Sequence, residues 1–281
     1  MNLKEHFIPL SLANFVTEIL ASERDFIKII PTISHEELPI RKSKFLGIPY
    51  WPQKEEEYPK DFTGQPMRML AQINFDEVYK NITKNDYLPG IGILQFFIPQ
   101  HASRNQHWGL CFDDMSNNFH NISVIYHEKT DLPHYLSDQL IEINNLENTS
   151  DFPIFKHCNL KFESDTQFCP LVDDYSSKHF YGDIIQNFSE KEQEDFQEAV
   201  ELNSTGCKID GYAYFTQADP RTQDYDIDDP LILLLQIDSV YDENGDLVSM
   251  WGDSGVANWF IKKSDLINKD FSKVIYNWDC C

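Results

Sequence analysis

The hexapeptide Leu70-Ala71-Gln72-Ile73-Asn74-Phe75 returns as Leu234-Leu235-Gln236-Ile237-Asp238-Ser239, and this recurrence constrains the fold more than any other feature of the chain. Setting the two in register brings Gly47, Tyr50, Gln53, Pro66, Leu70, Gln72 and Ile73 onto Gly211, Tyr214, Gln217, Pro230, Leu234, Gln236 and Ile237, every pair 164 positions apart. Downstream the offset slips by one, so that the segment from Gly92 to Ile98 faces the one from Gly255 to Ile261. Val124-Ile125-Tyr126 then matches Val274-Ile275-Tyr276 across a shorter connection. Self-similarity on this scale reads as a duplicated unit. The expectation is a single domain over 1–281 with internal repeats at about 26–127 and 157–278, the second carrying a helical insertion at about 188–202.

Within each copy the pattern predicts strands more than helices. A first helix is expected where Phe15, Val16, Ile19 and Leu20 share a face, with Ser11 as its cap. Phe26 to Ile30 reads as a short strand stopped by Pro31, and Lys44 to Pro52, with two prolines and a glycine, as an extended edge or rigid turn. Met67 to Phe75 and Gly92 to Ile98 are apolar runs short enough for strands, followed by a polar, irregular stretch and a strand from Ile122 to Tyr126. In the second copy Leu160-Lys161-Phe162 marks the opening strand. Ser189 and Glu192 form a capping box for a helix ended by Gly206, and Asn244-Gly245 is a hairpin turn. The fold class is therefore α+β and sheet-rich: two repeated antiparallel units packed together, with a few peripheral helices.

At 281 residues and 41% apolar composition the chain carries enough for a continuous core without metal or disulfide support. Cys111, Cys158, Cys169, Cys207, Cys280 and Cys281 show no CxxC spacing and read as reduced thiols. The first residues lack a signal-peptide pattern and no apolar run reaches membrane-spanning length, so a cytoplasmic protein without membrane contact is expected. The net charge of −23 repels a phosphate backbone in the absence of a basic patch, which excludes direct nucleic-acid binding and favours a cation or a cationic protein.

Motifs with catalytic or metal-binding associations are better explained by turns. Gly252-Asp253-Ser254-Gly255 spells the surroundings of a serine-protease nucleophile, but no histidine or acid motif accompanies it, and its glycines flank the start of a strand. Asp224, Asp226 and Asp228 begin like a calcium loop, yet the required glycine and distal glutamate are missing. Asp242, Asn244 and Asp246 repeat that beginning inside the hairpin signal. Only convergence of the two loops would make a weak Ca²⁺ site. The nine histidines lack metal-ligand spacing, and no cofactor is expected.

What remains is the duplicated polar set. Gln72 and Gln236 sit inside apolar strands, and Gln53 and Gln217 recur beside aromatic residues, where buried amides need partners. One reading has these amides fixing the packing of the repeats. The other has a pseudo-symmetric cleft lined by Tyr50, Trp51, Tyr214 and Phe215, with Gln72, Gln217, Gln236, Asp219, Arg221, Asp253 and Ser254 as polar contacts for a small molecule.

The series from Lys44 to Pro52, Gly64 to Met67 with Leu70 to Phe75, Gly92 to Ile98, Phe215 to Arg221, Trp251 to Ile261 and Tyr276 to Asp279 resembles the YwqG-like family from about Lys44 to Asp279. Ala213 departs from the family pattern, which usually has proline there. The resemblance implies a cytosolic bacterial protein with a duplicated, sheet-rich α+β fold, and it carries over no catalytic residue. Two functional expectations follow. One is a non-enzymatic binding or interaction module using the cleft or the acidic surface, for instance immunity-type neutralisation of a cationic toxin. The other is a hydrolase with Asp219, Arg221, Asp253 and Ser254 converging at the cleft.

Overall fold

The computed structural model describes residues 8–52, 57–101, 106–111, 121–133, 136–145, 152–182, 188–200, 203–221, 223 and 225–281. A 3-10 turn over Leu10–Phe15 leads into α1 (Val16–Ala21) and the long strand β1 (Arg24–Ile33). Then come β2 (Lys44–Phe45), β3 (Arg68–Asn74), α2 (Phe75–Val78), β4 (Ile93–Ile98), β5 (Gln106–His107), β6 (Leu110–Cys111), β7 (Ser123–His127) and α3 (Asp138–Asn145). The second half runs β8 (Cys158–Gln167), α4 (Asp174–Tyr181), α5 (Glu190–Val200), β9 (Cys207–Asp210), β10 (Leu231–Asp238), β11 (Val240–Tyr241), β12 (Leu247–Ser249), β13 (Val256–Lys262), α6 (Lys263–Ile267) and β14 (Ile275–Asp279).

Ten strands form one antiparallel sheet in the order β14-β13-β10-β9-β1-β8-β2-β3-β4-β7. At its centre β1 pairs with β8 over ten residues, Arg24 facing Gln167 and Ile33 facing Cys158. The opening strands lie across the midline: β1 hydrogen-bonds to β9 of the second half, and β8 to β2 of the first. The sheet curls until its ends meet. Trp278 Nε1 donates to the His107 carbonyl at 2.9 Å, Tyr276 Oη to that of Trp108 at 2.8 Å, and Tyr126 packs on Phe271. The concave face encloses one core to which both halves contribute, with Phe96 against Trp259 at 5.5 Å.

Every residue of β3, β4 and β10 is buried, because the convex face is covered too. Over the first half lie Trp51, Tyr58 and Leu140, packed on Met69 and Phe97. Over the second, Tyr175 and Phe215 pack on Leu233 and Phe260. Helices α1, α4 and α5 add a third layer through Ile19, Tyr181 and Phe196. The class is thus the expected sheet-rich α+β. No helix among the described residues is long and apolar enough to cross a membrane.

Several local expectations need correction. Pro31 does not stop β1, which continues to Ile33. Leu160 N–H points to Ser43 O at 3.3 Å, away from β1. Its partner Pro31 must therefore direct its nitrogen towards the β9 side, where pairing has ended at Ile29, so no ladder donor is missing. The Lys44 segment is not an edge: β2 is an interior strand of two residues, cut short where Leu46 and Gly47 turn at positive φ. Ser11 caps nothing, since it lies within the 3-10 turn and donates to Asp195 Oδ2 at 2.5 Å. The capping box forms, with Ser189 N donating to Glu192 Oε2 at 2.7 Å and Glu192 N to Ser189 Oγ at 3.3 Å. Gly206 leads into β9, its N–H donating to Asp238 Oδ2 at 2.7 Å, and α5 spans Glu190–Val200 among the described residues.

Candidate functional site

The paired glutamines have the same bonding pattern. Gln72 Nε2 donates to the carbonyls of Ile40 at 3.0 Å and Lys42 at 2.8 Å, and its Oε1 accepts from Tyr50 N at 2.9 Å. Gln236 Nε2 donates to the carbonyls of Ser204 at 3.0 Å and Gly206 at 2.8 Å, and its Oε1 accepts from Tyr214 N at 2.8 Å. Each atom has its counterpart 164 positions on. The next strand repeats the match, Gln95 Nε2 reaching Tyr50 O at 2.7 Å and Asn258 Nδ2 reaching Tyr214 O at 2.8 Å. Both glutamines are fully buried and hold the loop after a short strand against the sheet.

Tyr50 and Trp51 are likewise wholly buried. Tyr50 Oη donates to Leu132 O at 3.1 Å, and Trp51 sits among Tyr58, Phe97 and His127. Burial lowers His127 to about 4, and its Nε2 meets Gln95 Oε1 at 3.0 Å. Tyr214 is half-buried, and Phe215 stacks on Phe260. Gln217 is exposed, its backbone N–H bonded to Asp279 and its Nε2 to Cys280 O at 2.5 Å. Gln53 lies outside the described residues.

Asp219 and Arg221 do meet, in a saturated ion-pair network. Arg221 reaches Asp219 Oδ2 at 2.7 Å and Asp173 Oδ1 at 2.6 Å, and its guanidinium lies over Phe260 and Tyr175. Asp173 also accepts from Ser176 N and Ala213 N, and Asp219 from Tyr175 N. Desolvation works against the charged guanidinium, but the two carboxylates outweigh it and hold Arg221 above its ordinary range. Asp253 and Ser254 occupy an exposed turn before β13, where Ser254 makes only a 3.9 Å contact to Met250 Sδ. No hydrogen bond among the described residues joins them to Asp219 or Arg221. The glycines of that turn are steric: a Cβ on Gly255 would lie 1.8 Å from Asp279 O.

The acidic stretches close on themselves. Asp226 Oδ1 accepts from Asp228 N and Asp229 N, and Asp242 Oδ1 from Asn244 N and Asp246 N. No group of three or more metal-ligating side chains occurs among the described residues.

Two groups went unread in the sequence: Lys44 and Lys208, themselves 164 positions apart, are 1% and 0% exposed. Lys208 Nζ bonds to Ser204 O at 2.7 Å and Gln167 Oε1 at 3.0 Å, and Lys44 Nζ to the carbonyls of Pro39 and Ile40 at 3.3 and 3.4 Å. Burial pushes Lys208 down to about 7 and Lys44 to about 8. Their shared offset was visible in the alignment; their burial was not, since lysine is rarely an interior residue.

A cleft of about 690 Å³ opens elsewhere, along β8. One wall is five consecutive residues, Leu160 to Ser164; the other is Lys42, Glu77, Lys80, Asn81 and Ile82 from the first half. Glu77 is engaged by Lys42 Nζ at 2.8 Å and Ser43 N at 2.7 Å. Lys80 and Lys161 are exposed and form no ion pair among the described residues. Phe162 and Ile82, both half-buried, supply the apolar surface. None of the described aromatic and amide residues expected to line a cleft lies here: Tyr50, Trp51, Gln72, Phe215 and Gln236 are buried in packing, and Gln217 is bonded to Cys280.

No curated protein matches the chain. Residues 43–280, by contrast, match a family described as a domain of unknown function, DUF1963, and with most of its length covered the chain belongs to that family.

Proposed function

We propose that this chain is a non-enzymatic binding module of the cytoplasm, YwqG-like in type and built from a duplicated unit, whose ligand occupies the cleft along β8. The observation that carries the reading is the cleft itself. It is a concavity where residues of both halves face one another, its volume suits a ligand, and Lys80 and Lys161 in its walls form no ion pair among the described residues. Duplication is supported by the matched bonds of Gln72 and Gln236 and by the exchanged positions of β1 and β8. The saturation of Asp219 and Arg221 by structural bonds favours binding over a hydrolase built on them. The charge of −23 keeps a second reading alive, in which the acidic surface engages a cationic protein, as an immunity protein would.

Native mass spectrometry of the chain recovered from its own cells, beside a Lys80→Glu/Lys161→Glu variant, tests the proposal. The expected result is a stoichiometric adduct on the wild type that the variant loses. An adduct or partner retained equally by both would overturn the cleft and leave the acidic surface.

A further inference from the structure

Among the described residues, the edge of β8 within this cleft is unpaired. On the side away from β1, β8 pairs with β2 through Cys158 and Asn159, and Leu160 N–H reaches Ser43 O. In an antiparallel ladder the N–H and C=O of one residue point the same way and alternate along the strand. Phe162 and Ser164 therefore aim their backbone groups into the cleft, as Leu160 aims at Ser43. No described strand lies opposite them. Farther on, Thr166 O is covered by Asn203 Nδ2 at 3.3 Å, so the open edge is limited to these two residues.

The matching stretch of β1 is closed. Ser43 and Cys207, 164 positions apart, face Leu160 and Ile29, which makes Pro31 and Ile33 the counterparts of Phe162 and Ser164. Pro31 has no N–H, and the Ile33 N–H faces the Asp242 carboxylate, which it helps to hold below the ordinary carboxylate range. One of two equivalent edges is thus blocked by proline and a side-chain acceptor, the usual ways of silencing an exposed strand, while the other lies open in a recess.

We infer that the cleft receives an extended peptide segment bearing one or two carboxylates, which adds as a short strand to the Phe162–Ser164 edge. This rests on the cleft reading above and names its occupant. Backbone bonding to Phe162 and Ser164 supplies the register, and Phe162 with Ile82 contacts an apolar side chain of the peptide. The ammonium groups of Lys80 and Lys161, which form no ion pair among the described residues, select the carboxylates. A strongly acidic segment is excluded by the field of a −23 chain, so the complementarity is local to these lysines.

A displayed library of random heptapeptides, selected on the immobilised full-length chain and followed by anisotropy titration of the enriched sequences, tests the inference. Methylating peptide amides one at a time should weaken binding about tenfold at alternate positions and leave the intervening ones unchanged. Ser164→Pro removes a cleft-facing donor from the stretch of β8 that outruns β2 and should weaken binding by a similar factor. Lys80→Glu/Lys161→Glu should do so by at least that much without touching the backbone, so the test survives a misfolded proline variant. Peptides lost on the lysine variant but indifferent to alternate methylation would overturn strand addition while leaving the cleft as a binding site. Failure to enrich peptides, alongside a small-molecule adduct in native mass spectra, would overturn the peptide occupant alone. Peptides that bind all variants equally would overturn the site.

Discussion

Replacing Lys208 with methionine should stabilise the protein at neutral pH and lose that advantage as the pH rises. In the folded state burial brings this ammonium to about 7, whereas in the unfolded chain it titrates near its ordinary 10.5. The folded value lies below the unfolded one, so unfolding takes up a proton throughout the window from about 7 to 10.5. Stability from this group therefore rises with pH across the window, and below 7 the penalty is at its full value and constant. The gap corresponds to about 5 kcal/mol at neutrality, declining by about 1.4 kcal/mol per pH unit. Methionine keeps the length of the side chain but leaves Gln167 Oε1 without its donor, which costs about 1–3 kcal/mol; Ser204 O retains Gln236 Nε2. The variant should thus gain about 2–4 kcal/mol at pH 7 and come within about 1 kcal/mol of the wild type by pH 9. Urea unfolding followed by tryptophan fluorescence at pH 6, 7, 8 and 9 measures the difference, in which the buried thiols common to both proteins cancel. A stability difference that stays flat from pH 6 to 9 would refute the argument, since it would mean that Lys208 carries the same charge folded and unfolded.

Four further outcomes follow from the same geometry. Gln72→Leu should cost about 3–5 kcal/mol in chemical denaturation, because two carbonyls and the Tyr50 N–H lose their partner in the interior; a loss under 1 kcal/mol would contradict the assigned network. Arg221→Met should cost about 3–5 kcal/mol by leaving Asp173 and Asp219 buried together, and Asp173→Asn should partly rescue it in a double-mutant cycle. His127 is held at about 4, below its ordinary 6.5, so the unfolded chain alone binds a proton between those values. Stability should fall by up to about 3 kcal/mol as the pH drops from 6.5 to 4, and His127→Gln should remove that slope. Gly255→Ala should prevent soluble expression because its Cβ would strike Asp279 O, while Gly64→Ala, with open space around it but a φ of +83°, should cost only about 1–2 kcal/mol in thermal denaturation.

Much of the sheet could be read from the chain because its strands are apolar runs with a recurring order. The segments at Leu70, Ile93, Leu234 and Val256 are strands, as their short apolar runs predict. The helical capping box was equally local, since it depends on two residues three apart. The strand exchange was not legible: which partner β1 chooses is decided by long-range packing, and no spacing in the sequence encodes it. The candidate site failed to be read for a related reason. Aromatic and amide residues attract attention as ligand contacts, yet Trp51, Gln72 and Gln236 are fully buried, where the same chemistry satisfies backbone groups. The cleft depends instead on a length mismatch between neighbouring strands, with Lys80 and Lys161 indistinguishable in sequence from any surface lysine.

That mismatch links the fold to the proposed function. The two central strands are each ten residues long, but their outer neighbours β2 and β9 contain two and four. Each central strand therefore outruns its neighbour and exposes backbone that must be satisfied by something other than the sheet. On β1 the chain itself supplies the answer, through Pro31 and the Asp242 carboxylate at the tip of the β11–β12 hairpin. On β8 the corresponding place is taken by the α2 segment, which stands back and leaves a recess. Removing its cleft-facing donors should silence it. Phe162→Pro combined with Ser164→Pro would do so, the first at the place where β1 holds Pro31, and the altered protein should lose peptide capture while its tryptophan fluorescence still reports a folded core. A protein that still captured peptides with both cleft-facing positions altered would place the contact away from the strand edge, and the open backbone of β8 would then be an incidental consequence of a short β2.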